Sequence, residues 1–99
     1  MKGKNEPLPI GSIIKLKEGQ VKLMIIGYLK YAVGDQEKIF DYAGCLYPNG
    51  YQSKEKCVVF NHEDIIKVYA LGYQDDLQEY FEAQLIQQFQ RFKPGVKFD

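Results

Sequence analysis

His62-Glu63-Asp64 is the densest run of side chains able to ligate a metal or move a proton, an imidazole followed by two carboxylates. Adjacent residues on one turn point apart, however, and the chain holds a single histidine and no second ligand cluster. The run reads instead as a helix start, with Asn61 as N-cap and Glu63 and Asp64 in the first turn, where the helix dipole favours negative charge. The two cysteines, Cys45 and Cys57, flank a turn at Pro48-Asn49-Gly50 and can face each other across a hairpin. A disulfide needs Cα atoms within about 7 Å, which sequence does not fix, and reduced thiols suit a cytoplasmic chain. A Cys–His nucleophile with His62 has no supporting signature. The glycines form neither a dinucleotide fingerprint nor a phosphate-binding loop. No catalytic, metal-ligating or cofactor-binding residue is therefore expected, no cofactor is implied, and the chain reads as a non-enzyme.

The elements that position these groups belong to one domain, residues 1–99, with 45% hydrophobic and 14% aromatic residues. Thirteen basic residues balance thirteen acidic ones, so no global field draws the chain to nucleic acid or an anionic membrane. The charge is nevertheless dipolar along the chain: +4 over residues 1–30, −2 over 31–73 and −2 over 74–99. The basic N-terminus lacks the apolar segment of about 7–15 residues that a signal peptide carries. The longest apolar run, Leu23-Met24-Ile25-Ile26, is far short of the roughly 20 residues of a membrane span. The expected location is the cytoplasm, without membrane insertion.

Residues 1–9 are polar, carry Pro7 and Pro9, and read as an irregular lead-in, with the fold starting near Ile10. Residues 12–17 read as a strand, followed by a hairpin turn in which Gly19 supplies positive φ. Residues 21–31 carry apolar side chains on both faces, which predicts a doubly covered strand or one that bends at Gly27, where valine should damage the fold. A turn at Val33-Gly34-Asp35-Gln36 leads to a strand over 38–47, with a bulge or close approach at Gly44. Tyr47-Pro48-Asn49-Gly50-Tyr51 reads as a type I turn, and its return strand ends at Val58-Val59-Phe60. One helical turn after Asn61 feeds a last strand over 67–71, which Gly72-Tyr73 breaks. Asp75 then caps an amphipathic helix over 76–92, stopped by Lys93-Pro94-Gly95. Leu77, Phe81, Leu85 and Phe89 form its apolar stripe, flanked by Tyr80, Ile86 and Phe92.

This order gives an α+β fold: a β-rich part over 10–73, as a small antiparallel sheet or SH3-like partly open barrel of four to five strands, with the helix over 75–92 packed across it. Eight tyrosines interleaved with Lys22, Lys30, Lys38 and Lys67 are able to stack bases, but zero net charge favours core packing instead. The surface best suited to a partner is the tightly specified turn with Tyr47, Asn49 and Tyr51, or the helix face around Tyr80.

Two sets of motifs carry a family resemblance. The first is Leu8-Pro9-Ile10-Gly11-Ser12-Ile13-Ile14-Lys15-Leu16-Lys17 with Lys22-Leu23-Met24-Ile25-Ile26-Gly27-Tyr28. The second is Asp41-Tyr42-Ala43-Gly44-Cys45-Leu46-Tyr47-Pro48-Asn49-Gly50 with Phe60-Asn61-His62-Glu63-Asp64-Ile65 and Gly72-Tyr73. Together, from Leu8 to the end of the helix, they resemble a family of short proteins of unknown function in Gram-positive bacteria, often encoded beside type VII (ESX-type) secretion genes and LXG-domain toxins. The family offers no catalytic residues to carry over. The resemblance implies a small cytoplasmic accessory protein, an adaptor or chaperone-like factor that binds an LXG toxin or a WXG-like helical partner before export. The alternatives are an immunity protein that neutralises a cognate toxin and a small-barrel nucleic-acid binder. Homo-oligomerisation is left open.

Overall fold

The structure, a computed structural model, describes residues 5–96 and 98. Five strands form one antiparallel sheet: β1 (Ile13–Leu16), β2 (Leu23–Ala32), β3 (Asp35–Leu46), β4 (Val58–Phe60) and β5 (Ile65–Ala70). Their order is β4-β3-β2-β1-β5, so the chain's last two strands lie at opposite edges and the sheet is open rather than closed into a barrel. Among the described residues a single α-helix, α1 (Asp76–Phe92), follows with the predicted bounds. The Asp75 side chain caps it, accepting from the Gln78 N–H at 2.9 Å. The expected α+β architecture is thus present as the antiparallel sheet.

Local rules account for most of the turns. Val33-Gly34 closes the long β2–β3 hairpin beneath the Ala32–Asp35 pair, with Gly34 at φ 82°. The β2–β3 register jumps between Ile25 and Gly27, which leaves Ile26 as the extra residue of a bulge. Gly44 stands across from Ile25, where a Cβ would come within 3.1 Å of both the Met24 carbonyl oxygen and the Phe60 ring. That close approach explains its glycine.

Other expectations need correction. At Gly27 a Cβ would meet only the Lys30 Cε at 3.4 Å and the Ala43 Cβ at 4.0 Å, so its glycine is not required by a close approach there, and the register break beside it agrees with the expected bend. The first hairpin takes its positive φ at Glu18 (63°) rather than at Gly19, because the Gly19 N–H turns back to the Leu16 carbonyl at 3.0 Å. The Tyr47–Pro48 bond is cis and the Gly50 N–H reaches the Leu46 carbonyl at 2.8 Å, which makes a wider turn than type I. Gly50 keeps the expected positive φ, at 80°.

The lead-in is irregular, as its prolines require, but it is not peripheral. Pro7, Leu8 and Pro9 are buried, so the packed fold starts three residues before Ile10; residues 1–4 of the expected lead-in lie outside the described residues. The Leu8 N–H donates to the Tyr42 hydroxyl at 3.1 Å, and the Tyr28 hydroxyl donates to the Leu8 carbonyl at 2.5 Å. Two tyrosines thereby satisfy the backbone of a segment that has no strand partner of its own. Leu8 joins Ile14, Leu23, Ile25, Tyr42 and Phe60 in the main core.

Only half of α1 belongs to a core. Leu85 and Phe89 pack with Phe98 in a second cluster, against which Tyr28, Leu29, Ile86 and Val96 lie half-buried. Leu29 reaches it from left-handed backbone, φ 54°. Leu77, at the other end of the predicted stripe, is 78% exposed. Residues four apart advance about 400° around a helix, so an i, i+4 series drifts about 40° per step. Between Leu77 and Phe89 that drift carries the stripe from solvent to core, and the helix leans on the sheet with its C-terminal half alone.

Candidate functional site

Two groupings of side chains stand out, one polar and closed, the other apolar and open. The polar one joins the end of α1 to β3 and to the 3₁₀ turn His62–Asp64 that precedes β5. Asp41, on β3, is 2% exposed. One of its carboxylate oxygens accepts from the Lys93 Nζ at 2.6 Å and the other from the His62 backbone N–H at 2.8 Å. Asn61 stands at the N-cap position, as expected, and its carboxamide oxygen accepts from the Asp41 N–H at 3.0 Å and from the Lys93 Nζ at 2.8 Å. Asp64 closes the turn by accepting the Asn61 N–H at 3.0 Å. The Tyr42 hydroxyl accepts from the Leu8 N–H and lies 2.7 Å from the His62 Nδ1. A cavity of about 440 Å³ opens beside this cluster, lined by Asn5, Glu63, Val96 and Phe98 as well as by the network itself.

Electrostatically the cluster is self-contained. Lys93 neutralises the buried Asp41 carboxylate, and both are hydrogen-bonded further, the condition under which a buried pair is tolerated. Burial pushes the Tyr42 phenol well above its ordinary value, an effect that the Leu8 N–H partly offsets and that Tyr28, Asp41 and Glu82 reinforce. Tyr28 is also raised, by burial first and then by Glu82. Because an unfolded tyrosine loses its proton near pH 10 while these two hold theirs, their contribution to stability is complete below about pH 10 and falls as pH rises above it. Urea midpoints should therefore begin to decline above about pH 9, where burial also holds the proton on the Cys45 thiol, and fall more steeply above about pH 10, and Tyr42→Phe should lessen that steeper decline. At neutral pH the same substitution should cost about 2 kcal/mol, since it strands the buried Leu8 N–H and removes the hydroxyl contact with the His62 ring.

The open grouping is the first half of α1. Leu77 is 78%, Tyr80 60% and Phe81 48% exposed, and Tyr73, just before the helix, is 82% exposed. Leu77, Tyr80 and Phe81 are spaced i, i+3, i+4 and share one face. Phe81 marks its inner margin, with its ring 6.0 Å from that of Tyr28. Asp75, Asp76 and Glu79 are exposed on the same two turns, with Glu82 half-buried, and no lysine or arginine occurs between Tyr73 and Arg91.

Of the residues singled out by sequence, Tyr47, Asn49 and Tyr51 are exposed around the cis-proline turn, and Tyr80 is exposed on α1. They lie on two separate elements, the turn after β3 and the helix α1. Sequence reading took Leu77 and Phe81 for core; the signal that places them outside is the drift of the i, i+4 series. Both cysteines are free thiols: Cys45 is buried, and the half-buried Cys57 donates to the Ser53 carbonyl at 3.5 Å. Among the described residues no three His, Cys, Asp or Glu side chains converge as a metal site would require, and no helix is long and apolar enough to cross a membrane.

The stretch from the buried Pro7 through the sheet to Phe81 on α1, residues 7–81, matches the model of a domain of unknown function, DUF4176. The chain belongs to the DUF4176 family. The DUF4176 match takes in the proline strap, all five strands and the open half of α1, whereas Leu85, Phe89, Lys93 and Phe98 lie beyond it. No curated protein and no solved structure matches the chain.

Proposed function

We propose that this DUF4176 protein is a non-enzymatic protein-interaction domain that holds a partner on the first half of α1. The observation that carries the reading is the exposure of Leu77, Tyr80 and Phe81 on one face of a helix whose other half is anchored in a core. Apolar surface left in water forgoes about 25 cal/mol per Å² that association recovers, and an aromatic-rich patch beside charged residues is the usual composition of a docking face. The titratable groups support a non-catalytic role. Asp41 is neutralised by Lys93, and burial raises the Cys45 thiol, the opposite of what activates a nucleophile. Carboxylates beside the exposed rings oppose a nucleic-acid backbone. In the setting that the family resemblance implies, the protein is a cytoplasmic accessory factor or adaptor of a type VII secretion toxin locus, and the partner is an LXG toxin or a WXG-like helical protein.

Affinity recovery of the tagged protein from its own cells tests this. A stoichiometric protein partner should be lost, by about tenfold or more, from the Leu77→Ser/Tyr80→Ser variant, while the circular dichroism spectrum and melting temperature stay within the small range typical of exposed positions. Tyr47→Ala/Tyr51→Ala should retain the partner. The reverse pattern moves the site to the cis-proline turn, and equal recovery by all three proteins removes both surfaces.

A further inference from the structure

We infer that the open face of α1 takes a helix whose apolar stripe is flanked by lysine or arginine, a partner class that rests on the docking role proposed for this face. Shape supplies the first argument. Leu77, Tyr80 and Phe81 continue along the helix through Gln84 and Gln88 to the half-exposed Phe92, all within an arc of about 120° and over about 22 Å. Such a straight ridge of residues three and four apart fits the groove of another helix.

Charge decides the chemistry of that helix. Asp76 and Glu79 place two exposed carboxylates on the first turn of α1, which carries no basic residue before Arg91, while Asp75 caps the helix and the half-buried Glu82 lies on the side of Tyr28. Asp76 lies one turn before Tyr80 and borders the apolar ridge, and Glu79, three residues after Asp76, lies further round the flank turned away from the Leu85–Phe89 core. A partner with acidic flanks meets like charge on burial, and a neutral one leaves the carboxylates to lose water without compensation. A basic flank gains on both counts. A second copy of α1 is a poor complement: it brings Asp76 and Glu79 again, while the helix itself carries one base, Arg91, and Lys93 is engaged by Asp41 and Asn61.

Titration of the full-length protein with three synthetic peptides of about 18 residues, followed by calorimetry and amide chemical shifts, tests the inference. The first peptide is an amphipathic helix with a leucine stripe and lysine flanks; the second carries glutamate in place of lysine; the third has the first one's composition scrambled so that no stripe forms. The first should bind with shifts centred on residues 73–84 and at least about tenfold more tightly than either other peptide, an affinity that falls with added salt. Asp76→Lys/Glu79→Lys and Leu77→Ser/Tyr80→Ser should each weaken it about tenfold. Equal binding of the first two peptides, equal binding of the first and third, absence of binding, or self-association through α1 in sedimentation overturns the inference. The docking role is judged separately with the partner recovered from cells. If Leu77→Ser/Tyr80→Ser loses that partner while Asp76→Lys/Glu79→Lys keeps it, the basic class falls and the docking face stands; if both variants keep it, the face itself is wrong.

Discussion

Replacing Gly72 by alanine should destabilise the protein by about 3–4 kcal/mol or more, the largest effect expected of a single added methyl group in this chain. Gly72 follows the end of β5 at the point where the N-terminal strap crosses it. A Cβ there would lie far inside van der Waals contact distance of the Ile10 carbonyl oxygen and close to the Ile10 and Gly11 carbonyl carbons. All three neighbours are backbone, so no side-chain rotation relieves the overlap. The two segments cannot simply move apart either. The Gly72 N–H donates to the Ser12 hydroxyl at 3.0 Å, and that hydroxyl donates to the Pro9 carbonyl at 2.8 Å, which ties both segments to the buried strap. Gly11, at φ 92°, completes the crossing, its own Cβ position lying 3.5 Å from the Gly72 Cα. For a domain of this size the loss corresponds to a fall in melting temperature of roughly 15 °C or more. Gly95→Ala is the matched control, because nothing lies within 4 Å of a Cβ at that position. Urea denaturation followed by circular dichroism measures both, and a Gly72→Ala protein as stable as Gly95→Ala would show that the crossing is looser than described.

This crossing also marks where sequence stops being informative. Strand alternation, turn glycines and capping residues are local signals, and they placed all five strands within a few residues and α1 at its observed bounds. Pro7-Leu8-Pro9 carries no periodicity, and its burial depends on the hydroxyls of Tyr28 and Tyr42, twenty and 34 residues away. Nothing short of the folded sheet brings them together. The stripe of α1 is legible in composition, but which way each of its residues faces depends on the helical drift along it. Counting i, i+4 matches finds an apolar stripe; only the accumulated rotation reveals that Leu77 and Phe89 face different surroundings. Tyr80 could be picked out as an exposed candidate from sequence, but its acidic border gains meaning only once Leu77 and Phe81 are placed outside the core beside it.

Asp41 and Lys93 are 52 residues apart, and their pairing holds the end of α1 to the sheet. Asp41→Ala should cost about 3 kcal/mol, because it removes the acceptor for Lys93 and for the His62 N–H while leaving the ammonium group largely buried. The lower end of the range for buried pairs is expected, since the Lys93 side chain keeps 16% exposure and can turn toward water. Lys93→Met should cost at least as much. Its removal leaves the Asp41 carboxylate, 2% exposed, with hydrogen-bond donors but no countercharge. Combining Lys93→Met with Asp41→Asn should then be less damaging than the sum of the two single changes, with a coupling of about 1–2 kcal/mol from the double-mutant cycle. Hydrogen exchange distinguishes this latch from a general loss of stability: in Asp41→Ala the amides of residues 85–93 should lose protection before those of β2 and β3, because the pair fastens the helix end rather than the sheet. Uniform loss across both regions would mean that helix and sheet open as one unit, and that the Leu85–Phe89–Phe98 cluster, not the ion pair, sets the strength of their junction.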